Sequence, residues 1–135
     1  MATTPRPRAM IVEDDGMLCF LLREICAEAG WDVCGEAIDV TEALAGVDVE
    51  RPDLLICDFA LAGERNGLEL LALVRQSFPD MTTIMLTGWD LGLLARFDDL
   101  AVADHLLRKP VMPTDLMQLL EQVSPAPMVG LANAA

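Results

Sequence analysis

Short apolar runs alternate along this chain with stretches in which apolar residues recur every three or four positions. The first run, Ala9 to Val12, stops at Glu13-Asp14-Asp15. Leu18, Leu21, Leu22, Ile25, Cys26 and Ala29 then fall on one face of a helix, with Asp15 as candidate N-cap and Gly30 as candidate C-cap. Asp32 to Ile38 predicts a second strand, and Val40 to Val47 a short helix with Thr41, Glu42 and Ala43 near its start. Arg51-Pro52 breaks the chain ahead of Leu54 to Cys57, a run apolar enough to be buried on both faces of a sheet, which ends on Asp58. A helix capped by Asn66 follows, with Leu68, Leu71, Leu73 and Val74 as its apolar positions, and Pro79 stops it after Phe78. Thr82 to Leu86 is a fourth strand, ending at Thr87-Gly88. A helix is expected from about Asp90 to Leu100, with Phe97 and Leu100 packed inward and Asp98-Asp99 on its solvated face. His105 to Leu107 reads as a short last strand, ending at Arg108-Lys109-Pro110. The final helix runs from about Pro113 to Val123, with Asp115 in its first turn.

Strand and helix in alternation predict an α/β domain: a parallel sheet, right-handed crossovers and helices on both faces. Parallel strands deliver their carboxyl ends to one edge, where such sheets bind ligands. That edge collects Glu13, Asp14, Asp58, Thr87 and Lys109. Burying an unpaired carboxylate costs on the order of several kcal/mol, so Asp58 is read as a reactive group on the floor of a cleft. Three carboxylates crowded together repel one another, and a hard divalent cation with oxygen ligands, Mg²⁺, relieves that repulsion. A cation, an ammonium and a hydroxyl around one carboxylate suit a phosphoryl group. Asp58 would accept it as an aspartyl phosphate, while Mg²⁺ and Lys109 neutralise its equatorial oxygens.

Composition narrows the function classes. The 135 residues, 53% of them hydrophobic, suit one domain with one sizeable core. No apolar run approaches the roughly 18–20 residues that span a membrane. The opening MATTPRPR lacks the apolar stretch of a secretory signal, so the protein is expected in the cytoplasm. A formal charge of −13, from 22 acidic against 9 basic residues, opposes nucleic-acid binding and favours a protein partner or a cation. Cys19, Cys26, Cys34 and Cys57 form no C-x-x-C pair and read as small buried thiols. His105 is the only histidine, which points to a structural or surface role, and the eight methionines read mostly as core filler. Residues 1–7, with Pro5 and Pro7, are expected to be a flexible arm, 8–123 the folded domain, and 124–135 a mobile Pro/Ala-rich tail.

The segments MIVEDDGML, LLICDFALAG with NGLELL, TTIMLTG and LLRKPV resemble, in order and spacing, the receiver domain of bacterial two-component response regulators. The resemblance covers about residues 8–123 and implies a flavodoxin-like, doubly wound five-stranded parallel sheet in the order 2-1-3-4-5. It implies that Asp58 is the phospho-acceptor. Asp14, Asp58 and the Ala60 carbonyl would hold Mg²⁺ directly, with Glu13 acting through water. Lys109 would pair with the phosphoryl group, its bond to Pro110 would be cis, and Thr87 would be the switch hydroxyl. The implied partners are a sensor histidine kinase or histidine phosphotransfer protein as donor, and an unidentified downstream protein. The domain would be no turnover enzyme but a phospho-acceptor that catalyses its own phosphorylation, without nucleic-acid or membrane contact.

Several positions depart from the family pattern. Leu106 stands three residues before the lysine, where an aromatic is usual, and the chain has no tyrosine. Ala62 replaces a common proline, and the loop to Gly67 is one residue longer than the commonest form. Leu86 to Trp89 resembles a subgroup of single-domain receivers, with Gly88 and Trp89 on the pocket rim, and only one helix and a tail are expected after Lys109. Neither Ala60 nor Trp89 offers a carboxylate or amide to orient a hydrolytic water, so self-dephosphorylation is expected to be slow. Two other readings remain open at this point. One is a receiver-like module that binds partners without phosphate. The other is a hydrolase with an aspartate nucleophile, which Ala60 argues against because a second aspartate is usual there.

Overall fold

The computed structural model describes residues 5–88 and 103–124. They form β1 (Arg8–Val12), α1 (Gly16–Glu28), β2 (Asp32–Ala37), α2 (Val40–Glu50), β3 (Leu54–Asp58), α3 (Gly67–Ser77), β4 (Thr82–Thr87), β5 (His105–Arg108) and α4 (Pro113–Val123). The strands make one parallel sheet in the order β2-β1-β3-β4-β5. The doubly wound α/β architecture expected from the sequence is therefore the one observed. Trp89, the helix expected over 90–100 with Phe97, Asp98, Asp99 and Leu100, and the tail from 125 onward lie outside the described residues.

Alternation along the strands builds two cores. Met10 and Val12 of β1, Leu55 and Cys57 of β3 and Met85 of β4 face α2 and α3. Ala9, Ile11, Leu54, Ile56, Ile84 and Leu86 face the other way, against Leu22, Ile25 and Cys26 of α1 and Leu116 and Leu120 of α4. Among the described residues, the period-two side-chain direction of a strand thus places α2 and α3 on one face and α1 and α4 on the other. Every residue of β3 is buried, as its continuous apolar run required. The Trp31 indole donates to the Leu120 carbonyl at 3.3 Å, fastening α4 beside the end of α1.

Some sequence expectations need correction. α2 continues past Val47 to Glu50, where Arg51 turns left-handed (φ 48°) and donates its N–H to the Val47 carbonyl. The last turn carries Asp48, Glu50 and a Val49 that is 76% exposed, so no apolar pattern marked it. α1 ends at Glu28 with Ala29 as its C-cap, and Gly30 is the left-handed residue beyond it (φ 91°). β2 stops at Ala37, leaving Ile38 exposed. Met10, Met81 and Met85 fill the core, but Met17 and Met112 are exposed. The last residues of the supposed arm are tied down. Arg6 donates to the Gly30 and Ala27 carbonyls and pairs with Asp32, and Pro7 accepts from the Asp32 N–H. All four cysteines are free, and Cys19, Cys26 and Cys57 are buried. Burial pushes the Cys26 thiol up to about 12, which keeps it unreactive.

Candidate functional site

Three consecutive acids leave β1 with three different tasks. Glu13 extends the pairing toward β2, its N–H donating to the Ala37 carbonyl at 2.9 Å, and its side chain turns inward to 2% exposure. Asp14 is exposed above it. Asp15 caps α1, its Oδ1 accepting from the Met17 and Leu18 N–H groups at 2.9 and 3.2 Å. The Asp15 N–H in turn donates to Glu13 Oε2 at 3.2 Å. Asp58 ends β3 in register with Leu86 and is 4% exposed. Thr87 ends β4, is fully buried, and its carbonyl accepts the Lys109 N–H at 2.7 Å. Lys109 follows β5, and its peptide bond to Pro110 is cis, as the resemblance implied.

These strand ends converge. Lys109 Nζ lies 3.0 Å from Asp58 Oδ2 and 3.4 Å from Glu13 Oε1. Carboxylate oxygens of Glu13, Asp14 and Asp58 come within 4.8 Å of one another. One ammonium therefore pairs with two of three clustered acids. Burial, with the negative charge of Asp58 adding to it, pushes the Glu13 carboxyl up to about 7. Burial works against the Lys109 charge, but Asp58 and Glu13 outweigh it and hold the ammonium above its ordinary value. Glu13 Oε1 accepts no hydrogen bond among the described residues, although it is buried. An oxygen-only donor set and surplus negative charge, with a buried Glu13 oxygen held only by its ion pair to Lys109, fit a hard divalent cation such as Mg²⁺. A hollow of about 370 Å³ opens beside Glu13 and Asp14, bordered by Phe20, Arg23 and Ile38.

The remaining candidates surround this cluster. Ala60 is exposed in the loop behind Asp58, and Gly88 is exposed after Thr87. Leu106 is half-buried, paired in register with Met85 and packed against the core beneath α2 and α3. Trp89 lies outside the described residues.

A family model described as the response regulator receiver domain matches residues 9–121. The chain belongs to this family. The chemotaxis protein CheY of Thermotoga maritima is 26% identical to the receiver over 117 residues, 87% of this chain and 97% of that protein. The transcriptional regulatory protein PdtaR of Mycobacterium tuberculosis is 28% identical over 120 residues, 89% of this chain but 57% of its own length. Among solved structures, a CheY-like receiver from Methanospirillum hungatei superposes with a TM-score of 0.78 at 30% identity, covering 87% of this chain and 93% of that one. The response regulator TrrA of Thermotoga maritima, solved in complex with Mg²⁺–BeF, gives 0.77 at 26% identity over 87% and 98% of the two chains.

Sequence reasoning missed two features of the receiver's site. The extended loop after Asp58 is fastened to the turn before α2. Ala62 N–H donates to the Ile38 carbonyl at 3.3 Å, Ala62 bridges Asp39, and Arg65 donates to Thr41 Oγ1 at 3.1 Å. Phe59 is buried and joined at both its N–H and its carbonyl, to Leu86 and Gly67. The only sequence signal for the latter was the glycine in NGLELL. Among the described residues, no helix is long and apolar enough to cross a membrane.

Proposed function

We propose that the receiver takes a phosphoryl group onto Asp58 from a sensor histidine kinase or a histidine phosphotransfer protein in the cytoplasm, and signals through contact with a downstream protein. The observation that carries this reading is the approach of Lys109 to 3.0 Å from a buried Asp58 beside Glu13 and Asp14. One Asp58 carboxylate oxygen forms the bond to phosphorus as the bond from phosphorus to the donor imidazole nitrogen breaks. The Lys109 ammonium, kept charged by the two acids, faces the transferred oxygens. Thr87, at the end of the neighbouring strand, supplies the hydroxyl that closes on the phosphoryl group with a charge-assisted hydrogen bond. Glu13, Asp14 and Asp58, with the Ala60 carbonyl, would hold Mg²⁺, whose charge supplies further neutralisation. The relative solved with Mg²⁺–BeF supports this choice of ion.

Incubation with Mg²⁺ and a small acyl phosphate, read by intact mass, tests the proposal. One phosphoryl adduct in the wild type and none in Asp58→Asn is the expected result. A wild type that stays unmodified would favour a receiver-like module that binds without phosphate. Leu106 makes that second reading specific, because the aromatic that usually responds to the phosphoryl group is absent.

A further inference from the structure

Gly67 opens α3 and is buried, yet nothing in the phosphoryl chemistry uses it. Its neighbours in NGLELL have evident tasks. Asn66 caps the helix by accepting the Glu69 N–H at 3.0 Å, and Leu68, Leu70 and Leu71 enter the core. A Cβ added at Gly67 would stand 2.3 Å from the Asp58 carbonyl oxygen, 3.0 Å from Phe59 Cα and 3.1 Å from the Asp58 carbonyl carbon. These are backbone atoms, so no change of rotamer relieves the overlap. The positive-φ glycines among the described residues are Gly30 and Gly63, so at position 67 it is space that demands glycine.

We infer that Gly67 is a positioning residue for phosphoryl acceptance: its missing side chain lets the first turn of α3 close on the backbone of Asp58 and fixes where the acceptor carboxylate stands. The Gly67 N–H donates to the Phe59 carbonyl at 2.7 Å, and the Phe59 N–H donates to the Leu86 carbonyl at 2.8 Å. The Cys57 thiol donates to the Asp58 carbonyl at 3.2 Å. The chain around the acceptor is thus clamped between β4 and α3. Lys109 hangs from the next carbonyl of the same strand, that of Thr87, at 2.7 Å. Acceptor and ammonium are therefore referenced to two successive residues of β4, and α3 presses the acceptor onto that reference. A side chain at 67 must push either α3 or the Asp58 peptide away. A displacement of about 1 Å in a reacting group costs on the order of a hundredfold in rate.

This inference rests on the phospho-acceptor reading. Its test compares Gly67→Ala with Gly46→Ala in the full chain. A Cβ at Gly46, in α2, also meets a close neighbour, Met10 Cε at 2.6 Å, but that is the tip of a flexible side chain far along from the acceptor. Stability is read by urea unfolding. The phosphorylation rate is read with saturating Mg²⁺ and acyl phosphate, so that a fall in maximal rate is separated from weaker donor binding. The expected result is a maximal rate lowered about a hundredfold in Gly67→Ala and unchanged in Gly46→Ala, under conditions where both are folded. A folded Gly67→Ala within twofold of the wild type overturns the inference, as does an equal fall in Gly46→Ala. If Gly67→Ala does not fold, Asn66→Ala loosens the same turn without a new atom: a slower maximal rate supports the inference and an unchanged one overturns it. A wild type that accepts no phosphoryl group overturns the phospho-acceptor reading itself, whereas a phosphorylated wild type beside an equally active Gly67→Ala removes only the role of Gly67.

Discussion

Lys109 and Asp58 meet at 3.0 Å although β4 lies between β3, which ends at Asp58, and β5, which Lys109 follows. The ammonium reaches over the carboxyl end of the central strands and compensates a charge buried to 4% exposure. Removing one partner of a buried pair leaves the other uncompensated, which costs about 3–5 kcal/mol when both are fully buried. The Lys109 side chain is 27% exposed, so solvent screening reduces the expected loss in Lys109→Met to about 1–2 kcal/mol. Urea unfolding at neutral pH without Mg²⁺ measures it. Added Mg²⁺ should restore part of the loss, and an unchanged midpoint would show that the pair carries no stability.

The acidic cluster predicts ion-dependent stability. A ligand that binds only the folded chain stabilises it by an amount that grows with the logarithm of its concentration relative to its Kd. Millimolar Mg²⁺ should therefore raise the melting temperature of the wild type and leave Asp14→Ala where it was. Asp14 is the exposed member of the cluster, so its replacement disturbs no core packing. Equal shifts in the two proteins would place the ion elsewhere.

Asp104 joins three elements away from the site. Its Oδ2 accepts from Arg75 Nη2 of α3 and from the Thr83 N–H of β4, both at 2.9 Å, and its own N–H donates to Thr83 Oγ1 at 3.0 Å. Burial pushes the Asp104 carboxyl up, but the bonds from Arg75 and Thr83 outweigh it and hold the group below its ordinary value. A carboxyl depressed in the folded state stabilises above its unfolded pKa, about 4, and loses that contribution as pH falls through the folded value. Asp104→Asn should therefore cost about 1 kcal/mol near neutrality, the scale for a partly exposed charged pair, with the gap to the wild type closing below about pH 4. Urea midpoints of both proteins across that range check the sign. A gap that widens in acid would contradict it.

Much of this was legible because the site is made of strand ends. An apolar run that stops on Glu13, Asp58 or Thr87 announces both the strand and the residue it presents, and Asp15 and Asn66 announced their helices as caps. The end of α2 was not legible, because its last turn is polar or exposed and it closes on a left-handed arginine, a residue without glycine's preference for that region. The Asp104 bonds and the clearance at Gly67 depend on which elements the fold brings together. The sequence names those residues without naming their neighbours.

The lifetime of the phosphorylated form follows from two positions that cannot orient water. Hydrolysis needs a water in line with phosphorus, and Ala60, like Trp89 in sequence, supplies no carboxylate or amide for it. Decay over hours is expected, since each tenfold in rate corresponds to about 1.4 kcal/mol of barrier. Ala60→Asn should shorten the lifetime about tenfold, the effect of one such contact. Phosphoprotein decay followed by mass in both proteins gives the answer, and a wild type that decays within seconds would contradict the expectation.

The most direct measurement is to locate the adduct. An acyl phosphate on aspartate is reduced by borohydride to homoserine, whereas free carboxylates are untouched. The receiver, incubated with Mg²⁺ and a small acyl phosphate, is reduced, digested and sequenced by mass. Homoserine at position 58, absent without the phosphodonor and reduced strongly in Lys109→Met, is the predicted result. Homoserine at Asp14 or another aspartate, or 5-hydroxynorvaline at Glu13, with Asp58 intact, or no reduced residue at any position, would contradict Asp58 as the phospho-acceptor.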